Sequence, residues 1–235
     1  MKTFEELVEL SKNFNLDFTL EQISNNGDDN LKLSNHFHPW SLKKSEAKIV
    51  YDVICNNNLK LGFEIATAFG VSSSVMGQAL LKTNGKLITM DAYVEEEFNH
   101  ALEYNINTKL VKTKETADGY KMASNLLKSL ELDETVFLEI GWSPNDVPSI
   151  LDKHLNGSKL DFAFIDGGHS VEQIHADVLA IKDYLDDDSI LFFHDHRDVA
   201  KHTIDFVQEI GFVKFINYNT PFNLWAYQRG DKFNL

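Results

Sequence analysis

One cysteine, Cys55, stands in a chain of 235 residues. No intrachain disulfide can form, so the cross-linked frameworks of small secreted domains are excluded and a reducing compartment, the cytoplasm, is expected. Positive charge is also scarce: 22 Lys and Arg face 36 Asp and Glu, a formal net charge of -14. That balance repels a phosphate backbone and leaves no basic stripe to hold one, which argues against nucleic acid as a partner. No apolar run is long enough to span a bilayer, and acids interrupt Phe4, Leu7 and Val8 at the start, so a soluble protein with no membrane partner is expected. Internal repeats and low-complexity tracts are absent. What remains is a chain with 43% hydrophobic residues, enough for one sizeable core.

Hydrophobic periodicity divides this chain into two parts. Phe4, Leu7, Val8 and Phe14 recur at helical spacing and lead into the turn-rich stretch 24–30 (SNNGDDN), which predicts a helical cap over 1–40. A domain over 41–235 follows. Ala47, Val50, Val53 and Ile54 mark its first helix, after which strand and helix alternate, the pattern of a parallel sheet covered on both faces. Predicted strands are 61–65, 86–90, 136–140, 161–165 and 189–193. The helices between them are marked by Val75, Met76, Ala79 and Leu80, by Met122, Leu126, Leu127 and Leu130, by Val147, Ile150 and Leu151, and by Ile174, Val178, Ile181 and Leu185. A helix through Ile204, Val207 and Ile210 then precedes two terminal strands, 213–218 and 224–227, read as an antiparallel hairpin. The predicted fold is α/β, a Rossmann-like doubly wound, mainly parallel seven-stranded sheet. The polar insertion 107–115 (NTKLVKTKE) is expected to form a loop over the site.

Ligands of open α/β sheets bind outside the carboxyl ends of the strands, so the residues that follow each strand carry the functional reading. Residues 64–74 (EIATAFGVSSS) turn from a strand through small side chains into a hydroxyl-rich helix start, where free N–H groups face outward. A dinucleotide fingerprint would need three glycines for the pyrophosphate, and this turn has only Gly70, which disfavours NAD. Asp91 ends the second strand, where a carboxylate can accept both hydrogen bonds of a ribose diol or, more blandly, cap a helix that opens with Glu95, Glu96 and Glu97. Asp166 with His169, and His194 with Asp195 and His196, follow the fourth and fifth strands, so carboxylates and imidazoles converge on one rim. His196 reads as a surface side chain, and His36 and His38 as part of a loop that docks its aromatics.

Four motifs in order, Glu64-x-Ala66-x-x-x-Gly70-x-Ser72, Asp91, Ile165-Asp166-Gly167-Gly168-His169-Ser170 and Phe193-His194-Asp195, resemble the class I S-adenosylmethionine-dependent methyltransferases, in the small-molecule subgroup related to macrocin-type sugar O-methyltransferases. The likeness spans residues 59–195. It implies S-adenosylmethionine as cofactor, with Glu64, Ala66, Thr67, Gly70, Ser72 and Ser73 at its methionine and ribose end. It further implies Asp91 on the ribose, Gly141 and Trp142 near the adenine, and Asp166 beside the cofactor. Ala66 stands where the family usually has glycine, which slightly restricts close backbone approach. Related enzymes hold a divalent metal at positions matching Asp166, His194 and Asp195, with His194 replacing an acid. Imidazole suits Fe, Zn, Ni or Mn better than Mg²⁺. His169, three residues after Asp166, falls where relatives place a general base, and a histidine can take a proton at neutral pH.

The expected function is therefore methyl transfer to a small hydroxylated acceptor, with Asp166 and Asp195 binding the acceptor and His169 taking its proton. Other classes remain open: a methyltransferase-like nucleotide-binding domain without turnover, a nucleotide-dependent oxidoreductase, and a metal-dependent hydroxylase or hydrolase built on Asp166, His169, His194 and His196. The acceptor and any homo-oligomeric state are left open.

Overall fold

A computed structural model of the protein describes residues 42, 44–94, 119–195 and 200–235. The expected cap 1–40 with His36 and His38, the insertion 107–115, Glu95 to Glu97 and His196 lie outside them. The described helices are α1 (Lys44–Asn56), α2 (Val71–Thr83), α3 (Gly119–Ser129), α4 (Val147–Leu155), α5 (Val171–Ile181) and α6 (Ala200–Glu209). The strands are β1 (Leu61–Ile65), β2 (Lys86–Asp91), β3 (Val136–Ile140), β4 (Leu160–Ile165), β5 (Leu185–Phe193), β6 (Lys214–Asn217) and β7 (Trp225–Gln228). None of the described helices is long and apolar enough to cross a membrane.

All seven strands form one sheet in the order β3-β2-β1-β4-β5-β7-β6. The first five run parallel, and β7 pairs antiparallel with both β5 and β6. The predicted fold class is the observed one. From β1 the chain winds outward through β2 to β3, then returns to the other side of β1 with β4. The crevice at this reversal, between the carboxyl ends of β1 and β4, is where open α/β sheets bind ligands.

Strand alternation builds two apolar layers. Phe162, Phe164, Ile190 and Phe192 point to the face covered by α1, α2 and α3. Ala163, Ile165, Leu191 and Phe193 point to the face covered by α4, α5 and α6. Helix α2 packs against α1, α3 and the sheet at once, which buries even its polar Ser72, Ser73, Ser74 and Gln78. Strand β5 begins at Leu185, four residues before the predicted start. A register shift against β4 between Leu160 and Phe162 accommodates the extra residues, and Asp186 and Asp187 there are exposed, which hid this strand start from the hydrophobic pattern.

Candidate active site

The turn after β1 is held from below by a buried acid. Glu64 is fully buried and accepts hydrogen bonds from Ser72 Oγ at 2.5 Å, from Thr89 Oγ1 at 2.6 Å and from Ser73 Oγ. Burial pushes its carboxyl up to about 7, against the pull of those three hydroxyls. Thr89 spends its proton on Glu64, so Thr67, 2.7 Å away, donates to Thr89. Above this layer the backbone turns through left-handed conformations at Ala66 (φ 76°), Ala68 (φ 47°) and Gly70 (φ 81°). Ala66 N–H and Thr67 N–H both donate to Met90 O, which fixes the turn against β2. A side chain at Gly70 would come within 3.1 Å of the Ala123 backbone on α3, so this position combines an unusual φ with a close approach.

Asp91 closes the neighbouring strand. Its Oδ2 accepts the Ala68 N–H at 2.9 Å and its Oδ1 accepts the Tyr93 N–H at 2.8 Å. Burial raises its carboxyl above the usual range, partly offset by these two donors. A carboxylate offers about four acceptor sites, so each oxygen keeps capacity for a ligand. Beyond β3, Gly141, Trp142 and Ser143 continue the rim, with the Trp142 side chain more than half exposed. Asp146 accepts the Trp142 N–H at 2.7 Å and holds this loop against the start of α4.

The ends of β4 and β5 carry a chain of charged groups. His194 is almost fully buried; its Nδ1 lies 3.0 Å from Asp166 Oδ1 and its Nε2 lies 3.2 Å from Glu46 Oε2 on α1. Glu46 also accepts the Phe222 N–H at 2.9 Å. Burial works against a charged ring, but Asp166 and Glu46 overcome it and hold the His194 pKa well above its ordinary value. Asp166 stays below the usual carboxylate range, because His194 and His169 outweigh the cost of its burial. His169 is about half exposed, with Nε2 3.7 Å from Asp166 Oδ1, beyond hydrogen-bond reach but close enough for charge attraction. That attraction raises its pKa, while partial burial opposes it. Burial raises the carboxyl of Asp195.

These segments enclose a cavity of about 480 Å³. Of the residues proposed from sequence, Ala66, Asp91, Gly141, Trp142, Asp166, His169, His194 and Asp195 line it. Glu64, Thr67, Gly70, Ser72 and Ser73 do not: they form the layer that shapes the turn. The expected metal trio lies side by side, with His194 Nδ1 3.0 Å from Asp166 Oδ1 and 4.0 Å from Asp195 Oδ2. Both ring nitrogens of His194 face carboxylates, Asp166 on one side and Glu46 on the other. Among the described residues, Asp166, His169 and Asp195 likewise bring one ligand atom each to within 4.8 Å of one another. Ser170, not His169, caps α5, accepting the Gln173 N–H at 3.1 Å and leaving the imidazole free for the cavity. Sequence reasoning missed Glu46, Gln173 and Asp177. Asp177 does carry a signal, since it falls on the buried stripe of Ile174, Val178 and Ile181.

A doubly wound sheet ending in an antiparallel hairpin, with a cavity at the carboxyl ends of its parallel strands, is the fold of class I methyltransferases. Residues 63–196, more than half of the chain, match the model of a methyltransferase domain, and the chain belongs to that family. Among solved structures it is similar to the O-methyltransferase from Bacillus cereus in complex with SAH, at 11% identity and TM-score 0.60, covering 96% of this chain and 99% of that one. It is similar as well to TomG from Streptomyces achromogenes, an O-methyltransferase involved in tomaymycin synthesis and solved with SAM, at 13% identity and TM-score 0.57, covering 97% and 99%. The SAH-bound methyltransferase PaMTH1 from Podospora anserina gives 11% identity and TM-score 0.58, covering 82% and 81%. At these identities the likeness is one of fold. No curated protein sequence matches the chain significantly.

Proposed function

We propose that the protein transfers a methyl group from S-adenosylmethionine to a hydroxyl oxygen of a small acceptor. The observation that carries this reading is the joint lining of one cavity by Asp91, at the end of β2, and by Asp166, His169 and Asp195, at the ends of β4 and β5. The residues fit a nucleoside ligand without phosphates. Small side chains at Ala66 and Ala68 leave the β1 turn open to close approach, Asp91 retains acceptor capacity for a diol, and the cavity falls in the size range of small-molecule sites. Four aspartates, Asp91, Asp166, Asp177 and Asp195, line it, a field that favours a cationic sulfonium over a pyrophosphate. Matches of the fold to SAM- and SAH-bound methyltransferases support the same cofactor.

When bound, the cofactor supplies an electrophilic methyl carbon whose bond to sulfur breaks, with the electron pair kept by sulfur, as the acceptor oxygen bonds to that carbon. The chain's own work is alignment and proton removal. Asp195 and Asp166 receive the acceptor's hydroxyl groups, and His169 Nε2 takes the proton of the reacting one. Asp166, ionised and fixed by His194, steadies the imidazolium that results.

Calorimetry with S-adenosylhomocysteine and with NADH tests the cofactor, and only the first should bind. Mass spectrometry over a panel of hydroxylated acceptors then tests turnover. His169→Ala should lower transfer roughly 100- to 10,000-fold with S-adenosylhomocysteine affinity unchanged; full transfer by that variant would overturn the role of His169. The convergence of Asp166, His169 and Asp195 supports one competing arrangement, in which they hold a divalent cation and His169 is not the base. Transfer that is lost on chelation with EDTA and restored by Mn²⁺ would establish it; transfer unchanged by EDTA keeps the base assignment.

A further inference from the structure

Glu46 sits in the first turn of α1, fully buried, and takes no part in lining the cavity. A carboxyl is seldom buried unless it is paired or hydrogen-bonded, and the two oxygens of this one turn to different segments. Oε2 lies 3.2 Å from His194 Nε2, and Oε1 accepts the Phe222 N–H at 2.9 Å.

Each oxygen begins an arm that ends on an acid of the cavity. The first arm runs through the imidazole, whose other nitrogen, Nδ1, stands 3.0 Å from Asp166 Oδ1. That ring has little freedom: Phe164 and Phe222 flank it at centroid distances of 6.1 and 5.7 Å, and the His194 N–H donates to Ile165 O. The second arm runs through the backbone of Phe222, in the turn between β6 and β7. Its N–H is given to Glu46, and its carbonyl accepts the Asp195 N–H at 2.9 Å. Asp195 has φ 54°, in the left-handed region that a residue other than glycine keeps where its surroundings hold it. At the ends of the two arms, oxygens of Asp166 and Asp195 come within 4.8 Å of each other. Neighbouring hydroxyls of one acceptor can meet both.

We infer that Glu46 is a positioning residue that sets the separation of Asp166 and Asp195, the first through the His194 ring and the second through the Phe222 backbone, so that both acids meet the same acceptor. This rests on the reading of these two aspartates as the acceptor's partners and goes beyond it by naming what holds them in register. A displacement of about 1 Å caused far from the reacting atoms can cost about 100-fold in rate. Asp91 and the β1 turn are fixed by hydrogen bonds of their own, so loss of Glu46 should disturb the acceptor and leave the cofactor in place.

The test compares the full-length wild type with Glu46→Met, which fills the space without accepting either hydrogen bond, and with Glu46→Gln, whose amide keeps an oxygen for Phe222 and offers its NH2 to His194. Calorimetry with S-adenosylhomocysteine should give all three the same affinity, which also shows that they are folded. Glu46→Met should lower kcat roughly 10- to 100-fold for the acceptor that wild type methylates fastest in the hydroxylated panel, and Glu46→Gln should restore most of it. Amide exchange followed by NMR should find the Asp195 N–H roughly 10-fold faster in Glu46→Met, with the amides of β1 and β2 unchanged. Should Glu46→Met unfold, Glu46→Asp, one methylene too short to reach both groups, takes its place with the same expectations. An unaltered kcat or an unaltered Asp195 amide in the folded variant overturns the inference and leaves methyl transfer standing, as does a Glu46→Gln as slow as Glu46→Met. Wild type that binds S-adenosylhomocysteine but methylates nothing in the panel overturns the transfer reading and the inference with it.

Discussion

Glu64 shows at the scale of one residue how a site can be supported by a group that never touches it. Its carboxyl is buried beneath the β1 turn and tied by hydroxyls to α2 and β2. The ordinary value of 4.5 is displaced to about 7 by burial, and the sign of the stability effect follows. Below pH 4.5 both folded and unfolded chains hold the proton. Between 4.5 and about 7 the unfolded chain releases it while the folded chain retains it, so stability falls as pH rises. Above about 7 the loss is complete. At about 1.4 kcal/mol per pH unit the displacement corresponds to about 3 kcal/mol. Glu64→Gln, which stays neutral throughout, removes this slope. Urea denaturation of both proteins between pH 4.5 and 8 should show the wild type losing about 3 kcal/mol relative to the variant. Parallel curves would mean that Glu64 ionises in the folded state as it does in the unfolded one.

Packing between strands is the element-scale counterpart. Gly62 on β1 pairs with Phe162 on β4, and a Cβ at 62 would lie 2.2 Å from the Phe162 ring, which is fully buried near Phe192. The glycine therefore serves the sheet, not the ligand. Gly62→Ala should cost about 1–3 kcal/mol by overpacking, and Phe162→Leu in the same chain should recover part of that, read as a coupling energy in a double-mutant cycle; strictly additive costs would show that ring and glycine are not in contention. The strands themselves were legible in the sequence, because each central one is a short apolar run closed by a polar or glycine residue, and β1 and β3 fall where that pattern puts them. The start of β5 was not, since Leu185 continues the helical spacing of Ile174, Val178 and Ile181, and Asp186, Asp187 and Asp188 break the apolar run. In the cavity, Asp91, Asp166, His169 and Asp195 were legible because strand ends point there. The layer role of Glu64, Ser72 and Ser73 was not, as a strand end does not say which side of the turn a side chain takes. Glu46 escaped for a different reason: it sits on a helix, at a position where only three-dimensional packing separates a buried acid from a solvated one, whereas Asp177 had a signal in the apolar stripe of α5 that went unread.

Cavity, sheet and charge act together at the scale of the whole molecule. The cavity is walled by the ends of β1, β2, β3, β4 and β5, which are far apart in sequence and meet only in the folded chain. A ligand bound there has no counterpart site in the unfolded chain, so its binding free energy is added to folding stability. At a free concentration about 100 times the dissociation constant this amounts to about 2.7 kcal/mol. For a chain of 235 residues, in the range where each kcal/mol moves the midpoint by about 2–4 °C, the expected rise is roughly 5–11 °C. NADH should give none at any concentration up to millimolar. It lacks a glycine-rich turn for its pyrophosphate, and its negative charge meets four lining aspartates on a chain of net charge -14. Raising the ionic strength screens that repulsion with a Debye length of about 8 Å near 0.15 M, so the comparison is made at low and at high salt. A shift with S-adenosylhomocysteine alone at both salts would mean that fit in the cavity decides between the two nucleotides. A shift with NADH emerging only at high salt would assign the discrimination to charge instead.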